Sequence, residues 1–105
     1  MIPAILEHQT SIAVLCRKYG VSRLDVFGSA TNDGFDPVRS DLDFLVVFGP
    51  SPKDSGYNAA DQYFGLLFDL EELFRRPIDL VCARAMRNPY FIKAVEKQRQ
   101  VLYAA

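Results

Sequence analysis

The chain has 105 residues, of which 50% are hydrophobic and 24% charged, with a formal net charge of −1. This composition excludes intrinsic disorder, the length fits a single domain over 1–105, and no apolar run approaches the roughly 20 residues needed to span a bilayer. Met1-Ile2-Pro3-Ala4 lacks a basic leader region, and Cys16 and Cys82 are too few for a disulfide framework or a Cys-rich zinc site, so a reducing cytoplasm is expected.

The near-neutral total hides a division. Residues 1–74 carry five basic groups against eleven carboxylates, whereas residues 75–105 carry seven against two. Arg75, Arg76, Arg84, Arg87, Lys93, Lys97 and Arg99 form either a solvated helix face or an attraction for an acidic partner or polyanion. So balanced a charge argues against duplex nucleic-acid binding by phosphate neutralisation alone.

In chain order, residues 3–19 read as a helix, with Pro3 in the first turn, Ile5, Leu6, Ile12 and Leu15 as a broken apolar stripe, and Gly20 at the C-terminal cap. His8, the one histidine, reads as a surface or packing residue. Residues 23–27 (Arg-Leu-Asp-Val-Phe) read as a strand that runs into Gly28-Ser29. Residues 30–39 are a loop rich in Asn, Asp, Gly and Pro, with room for a helical turn after Ser29. Asp41 to Phe48 is a nearly continuous apolar strand, and 49–56 is loop.

Asn58 can cap a helix over 59–74, whose stripe of Tyr63, Leu66, Leu67, Leu70, Leu73 and Phe74 is widened by Phe64 and Phe68. Burial between a sheet and another helix explains that width; a partner surface is the sharper alternative. Pro77 ends the helix, and Ile78–Cys82 is a third strand. Pro89 to Gln98 is a last helix, after which Val101-Leu102-Tyr103 either completes it or runs extended. Tyr57, Tyr63, Tyr90 and Tyr103 read as packing residues. The pattern predicts an α/β (α+β) layer fold, a small mixed sheet flanked by helices.

Chemistry concentrates in three carboxylates and one turn. Asp41 and Asp43 are two apart on a strand, so they share a face at roughly 7 Å between Cα atoms. Carboxylates at the start of an apolar strand are costly to bury without a counter-charge. Asp79, between Ile78 and Leu80, repeats the situation. An oxygen-only set of this kind suits Mg²⁺ or Mn²⁺ rather than zinc. Gly28 removes the Cβ that would hold a phosphate off the backbone, and Ser29 offers a hydroxyl and an amide to phosphate oxygens.

Phe27-Gly28-Ser29, Ser40-Asp41-Leu42-Asp43-Phe44-Leu45-Val46 and Pro77-Ile78-Asp79-Leu80-Val81 together resemble the minimal nucleotidyltransferases of the polymerase-β superfamily. The resemblance implies the polymerase-β-like nucleotidyltransferase fold. It implies that Gly28 and Ser29 hold the triphosphate of ATP, that Asp41 and Asp43 ligate two Mg²⁺ ions, and that Asp79 completes the catalytic metal site. It further implies transfer of AMP to a tyrosine of a helical HEPN-type toxin, with this chain as antitoxin. Two departures stand out: eleven residues separate Ser29 from Asp41 where the family usually has ten, and Ala30 stands where an arginine is common. Two other classes stay open, a small-molecule nucleotidyltransferase similar to the aminoglycoside-modifying enzymes and working as a homodimer, and an antitoxin that neutralises by binding alone.

Overall fold

The first helix is interrupted. In the computed structural model of the protein, which describes residues 2–28 and 41–105, α1 (Pro3–Glu7) and α2 (Gln9–Lys18) meet at His8. The His8 N–H donates to the carbonyl of Ile5 at 3.2 Å, a tight turn in place of an α-helical bond. Its ring is held edge-on against Phe74, centroids 5.3 Å apart, so His8 is a packing residue. The remaining elements are β1 (Val21–Phe27), β2 (Leu42–Phe48), α3 (Ala59–Phe74), β3 (Ile78–Cys82), a single tight helical turn at Ala83–Ala85, α4 (Pro89–Gln98) and β4 (Gln100–Ala104). The expected helical turn after Ser29 and the loop 30–39 lie outside the described residues.

The four strands form one mixed sheet in the order β3-β2-β1-β4. β1 is antiparallel to both β2 and β4, and β2 is parallel to β3. That parallel pair follows from the chain between its strands: a parallel neighbour needs a crossover, and α3 provides it. Of the two readings of Val101-Leu102-Tyr103 the extended one holds, since β4 pairs Tyr103 with Leu24 and Val101 with Asp25.

Strand alternation sends side chains to two cores. On one face Leu24, Val26, Leu42, Phe44, Val46, Ile78 and Leu80 pack with Ile5, Ile12 and Cys16 from the first two helices and with Leu66 and Leu70 of α3. On the other face Phe27 and Leu45 pack with Val95 of α4. Cys16 is fully buried, and burial pushes its thiol up to about 12, so it serves as a small apolar residue.

The helix over 59–74 begins as expected at Asn58. The Asn58 side chain accepts the Asp61 N–H at 2.8 Å, and the Asp61 carboxylate accepts the Asn58 N–H at 2.9 Å, which satisfies two otherwise unpaired donors. The helix ends at Arg75, held in the left-handed region at φ 53° before Pro77. Gln62, also in α3, is buried and donates to the carbonyls of Tyr19 and Gly49 at 2.9 and 3.3 Å, which ties α3 to the ends of α2 and β2. A Cβ at Gly65 would run into the Tyr19 ring, so glycine is what lets that ring lie against α3. Two expectations fail on α3 and α4. Phe64 and Phe68 are 50% and 60% exposed, since Leu66 and Leu70, two positions on in each case, are the residues of α3 that face the sheet, and Tyr90 is 84% exposed rather than packed. Among the described residues, no helix is long and apolar enough to cross a membrane.

Candidate active site

The register of the sheet brings two of the expected carboxylates face to face. Asp43 on β2 is the direct neighbour of Asp79 on β3, and on its other side it pairs with Phe27, the last residue of β1. Neighbouring strands lie about 4.8 Å apart, and side chains at paired positions leave the sheet on the same face. Asp41 immediately precedes β2 and shares that face by its two-residue offset. Asp41 and Asp79 are exposed and Asp43 is half-buried.

Two carboxylates at one register position repel each other. The effect is visible on Asp43, whose carboxyl is pushed up to about 6, first by burial and then by the charges of Asp79 and Asp41. Such a group is not there for the apoprotein's stability. The Tyr63 hydroxyl, which donates to the Leu80 carbonyl at 2.7 Å, is pushed up by burial and by the nearby Cys82 and Asp79.

Gly28 closes the site from the side of β1. It adopts φ +74°, and a Cβ built there would collide with Oδ2 of Asp43. Both facts demand glycine: the left-handed conformation and the contact of backbone with carboxylate. The Gly28 N–H donates to Oε1 of Gln98 at 3.2 Å, a link between this turn and the end of α4. Ser29, the other expected nucleotide-binding residue, lies outside the described residues.

A divalent cation fits the donor chemistry. The set is all oxygen, and the crowding that raises the Asp43 pKa is what a bound cation would relieve. Among the described residues no three carboxylate, imidazole or thiol groups come close enough together to hold an ion: Asp43 and Asp79 lie side by side across β2 and β3, and Asp41 stands two residues before Asp43 along the chain.

Sequence reasoning missed the anchor below this site. Asp25, fully buried on β1, receives Nε of Arg99 at 2.5 Å and Nε of Arg23 at 2.9 Å, and Arg99 also donates to Glu96 at 2.7 Å. A charged residue between the apolar Leu24 and Val26 was the signal that a cation had to arrive from elsewhere. Nothing local pointed to Arg99, 74 positions away. This pair fastens the junction of α4 and β4, and with it Gln98, beside β1.

Comparison with known proteins points the same way as the geometry. The family model for the nucleotidyltransferase domain matches residues 10–102. A Methanocaldococcus jannaschii protein with the provisional name protein adenylyltransferase is 30% identical over 84 residues, covering 80% of this chain and 79% of its own. A solved structure described provisionally as a minimal nucleotidyltransferase superposes with a TM-score of 0.68 at 27% identity, over 90% of this chain and 89% of the other. The fold is also shared with a chain from a complex described as a tri-AMPylated Shewanella oneidensis HEPN toxin with its MNT antitoxin. There the TM-score is 0.63 at 17% identity, over 96% of this chain and 73% of the other.

Proposed function

Because the chain belongs to the nucleotidyltransferase domain family, we propose that it transfers AMP from ATP to a tyrosine hydroxyl of a helical HEPN-type toxin in the cytoplasm, and so acts as that toxin's antitoxin. The observation that carries this reading is the Asp43–Asp79 pair set against the Gly28 turn. An acidic oxygen cluster beside a backbone turn with no side chain in the way matches what a metal-bound triphosphate requires. The AMPylated toxin in the complex that shares this fold supports the choice of acceptor.

In the reaction the acceptor hydroxyl, helped by Asp79, gives up its proton to that carboxylate or to solvent as its oxygen attacks the α-phosphorus of ATP. The new O–P bond forms, the bond to the bridging oxygen breaks, and pyrophosphate leaves with that oxygen. Asp41, Asp43 and Asp79 would hold Mg²⁺ (two ions, with Mn²⁺ as a substitute). Bound there, the ions would supply charge neutralisation of the phosphates and a lowered pKa for the attacking hydroxyl. Gly28 and Ser29 would align the phosphates through backbone and hydroxyl donors. The chain's own contribution is therefore placement and charge complementarity, which is where phosphoryl-transfer enzymes get most of their rate.

The test is co-expression with a helical protein encoded beside this one, followed by intact-mass analysis of both chains. An AMP adduct on a partner tyrosine is expected, and it should vanish in Asp41→Ala with Asp43→Ala. Neutralisation that survives the double substitution without any adduct would instead establish an antitoxin that works by binding, and a free adenylylated small molecule would establish the aminoglycoside-type activity.

A further inference from the structure

The last turn of α4 grips β1 on both sides of Phe27. Arg99, the first residue beyond α4, donates Nε to the buried Asp25 at 2.5 Å. Its N–H still closes the helix on the Val95 carbonyl at 2.9 Å. Gln98, one residue earlier, accepts the Gly28 N–H on Oε1 at 3.2 Å. Between these two grips Phe27 packs against Val95 and lies edge-on to Phe91 at 6.0 Å. Phe91, Val95 and Gln98 succeed one another at helical steps of four and three residues, so they share the side of α4 that faces β1.

The Gly28 turn has a demanding geometry. Its φ is +74°, and its Cα stands so near the Asp43 carboxylate that a Cβ there would collide with Oδ2. Glycine tolerates this conformation but brings no side chain with which to hold it. Gln98 provides a hold from outside, because a hydrogen bond to the Gly28 N–H fixes the peptide plane between Phe27 and Gly28. Gln98 is exposed, so water competes for that bond. What keeps its amide at hand is the anchoring beside it, Val95 on Phe27 and Arg99 on Asp25.

We infer that Gln98 is a positioning residue: its side-chain oxygen presets the Gly28 turn against Asp43, so that the turn is in place before the nucleotide arrives. The inference rests on the nucleotide-transfer reading above and adds to it a group that acts only through another residue. Such a residue acts on affinity, because a turn that is not preset must be ordered at the moment of binding. Its identity matters through the acceptor alone: glutamate keeps an oxygen at the same reach, and leucine removes it.

Amide exchange of the ligand-free protein, followed by NMR, reads the contact directly. The Gly28 N–H should exchange about three- to tenfold faster in Gln98→Leu than in the wild type, the range set by the net contribution of one hydrogen bond, and Gln98→Glu should restore the wild-type rate. The second probe is the Mg²⁺ complex of an ATP analogue with a methylene bridge between its α- and β-phosphates, titrated by calorimetry. It should bind Gln98→Leu more weakly by a similar factor, and in the transfer assay KM for ATP should rise likewise with kcat little changed. Both measurements are made well below the Tm of the variant, where a residue that only stabilised α4 would leave affinity and KM unmoved. Exchange at Gly28 that is unchanged in the leucine variant or not restored by the glutamate variant would overturn the positioning role. So would faster exchange with unaltered affinity, a loss confined to kcat, or no binding of the analogue by the wild type. Faster exchange and weaker analogue binding in a protein that transfers no AMP support the positioning role and refute the transfer reading.

Discussion

Replacing Asp43 by Asn should make the metal-free protein more stable while abolishing its activity. The carboxyl of Asp43 moves from an ordinary 3.8 to about 6 on folding, through burial and the charges of Asp79 and Asp41. A raised folded-state pKa means that the native chain holds this proton more tightly than the unfolded chain. Stability is therefore fullest below about pH 4, falls as the pH rises through about 6, and stays at its lower level above. At about 1.4 kcal/mol per pKa unit the full penalty would be near 3 kcal/mol, but Asp43 is only half-buried, and screening by solvent reduces it to about 1 kcal/mol. For a chain of this size that corresponds to roughly 4–8 °C in Tm. Thermal melts in EDTA should show Asp43→Asn more stable than wild type by that margin near neutral pH and equal to it near pH 4. Added Mg²⁺ should then raise the Tm of the wild type and leave the variant unmoved. A variant less stable than wild type at neutral pH, or a gain of the same size at both pH values, would refute this account of the carboxylate pair.

Two further substitutions test the frame around the site. Arg99→Ala leaves the buried Asp25 with Arg23 alone and should cost about 3 kcal/mol in urea unfolding, whereas Asp25→Leu combined with Arg99→Met should recover much of that loss; a double variant no more stable than the single one would contradict the burial argument. Arg75→Gly places the residue best suited to φ 53° at the end of α3 and should stabilise the protein by about 0.5–1 kcal/mol, read as a rise in Tm; a fall would show that the Arg75 side chain contributes more than its strained backbone costs.

What was legible in the sequence was local. The nearly continuous apolar run in Asp41 to Phe48 marks a strand, and Asn58 announces the start of α3. The family-level reading came from the same kind of short-range pattern, Gly-Ser after one strand and Asp-x-Asp at the head of the next. The misreadings share one cause, dependence on residues distant in the chain. Phe64 and Phe68 look like core until the sheet is seen to cover only the opposite flank of α3, and no periodicity distinguishes those two outcomes. The helix over 3–19 breaks at His8, where the ring packs against Phe74, 66 positions later. Asp25 announces a missing cation without saying which, and the Gly28–Gln98 bond that joins the turn to α4 has no trace in the sequence.

The sheet order has a consequence for the time at which the chain can fold. β1 lies between β2 and β4, yet about seventy residues of synthesis separate it from β4, and its buried Asp25 lacks its closest cation until Arg99 has been made. A nascent chain that has already produced both β2 and β3 still has a strand edge open and a buried charge half-compensated, so the sheet should close late and in a single step, with the Gly28 turn set against α4 only then. The proposed nucleotide site would thus be completed all at once, only after Arg99 and β4 have been made, and a chain halted before them should have none of it.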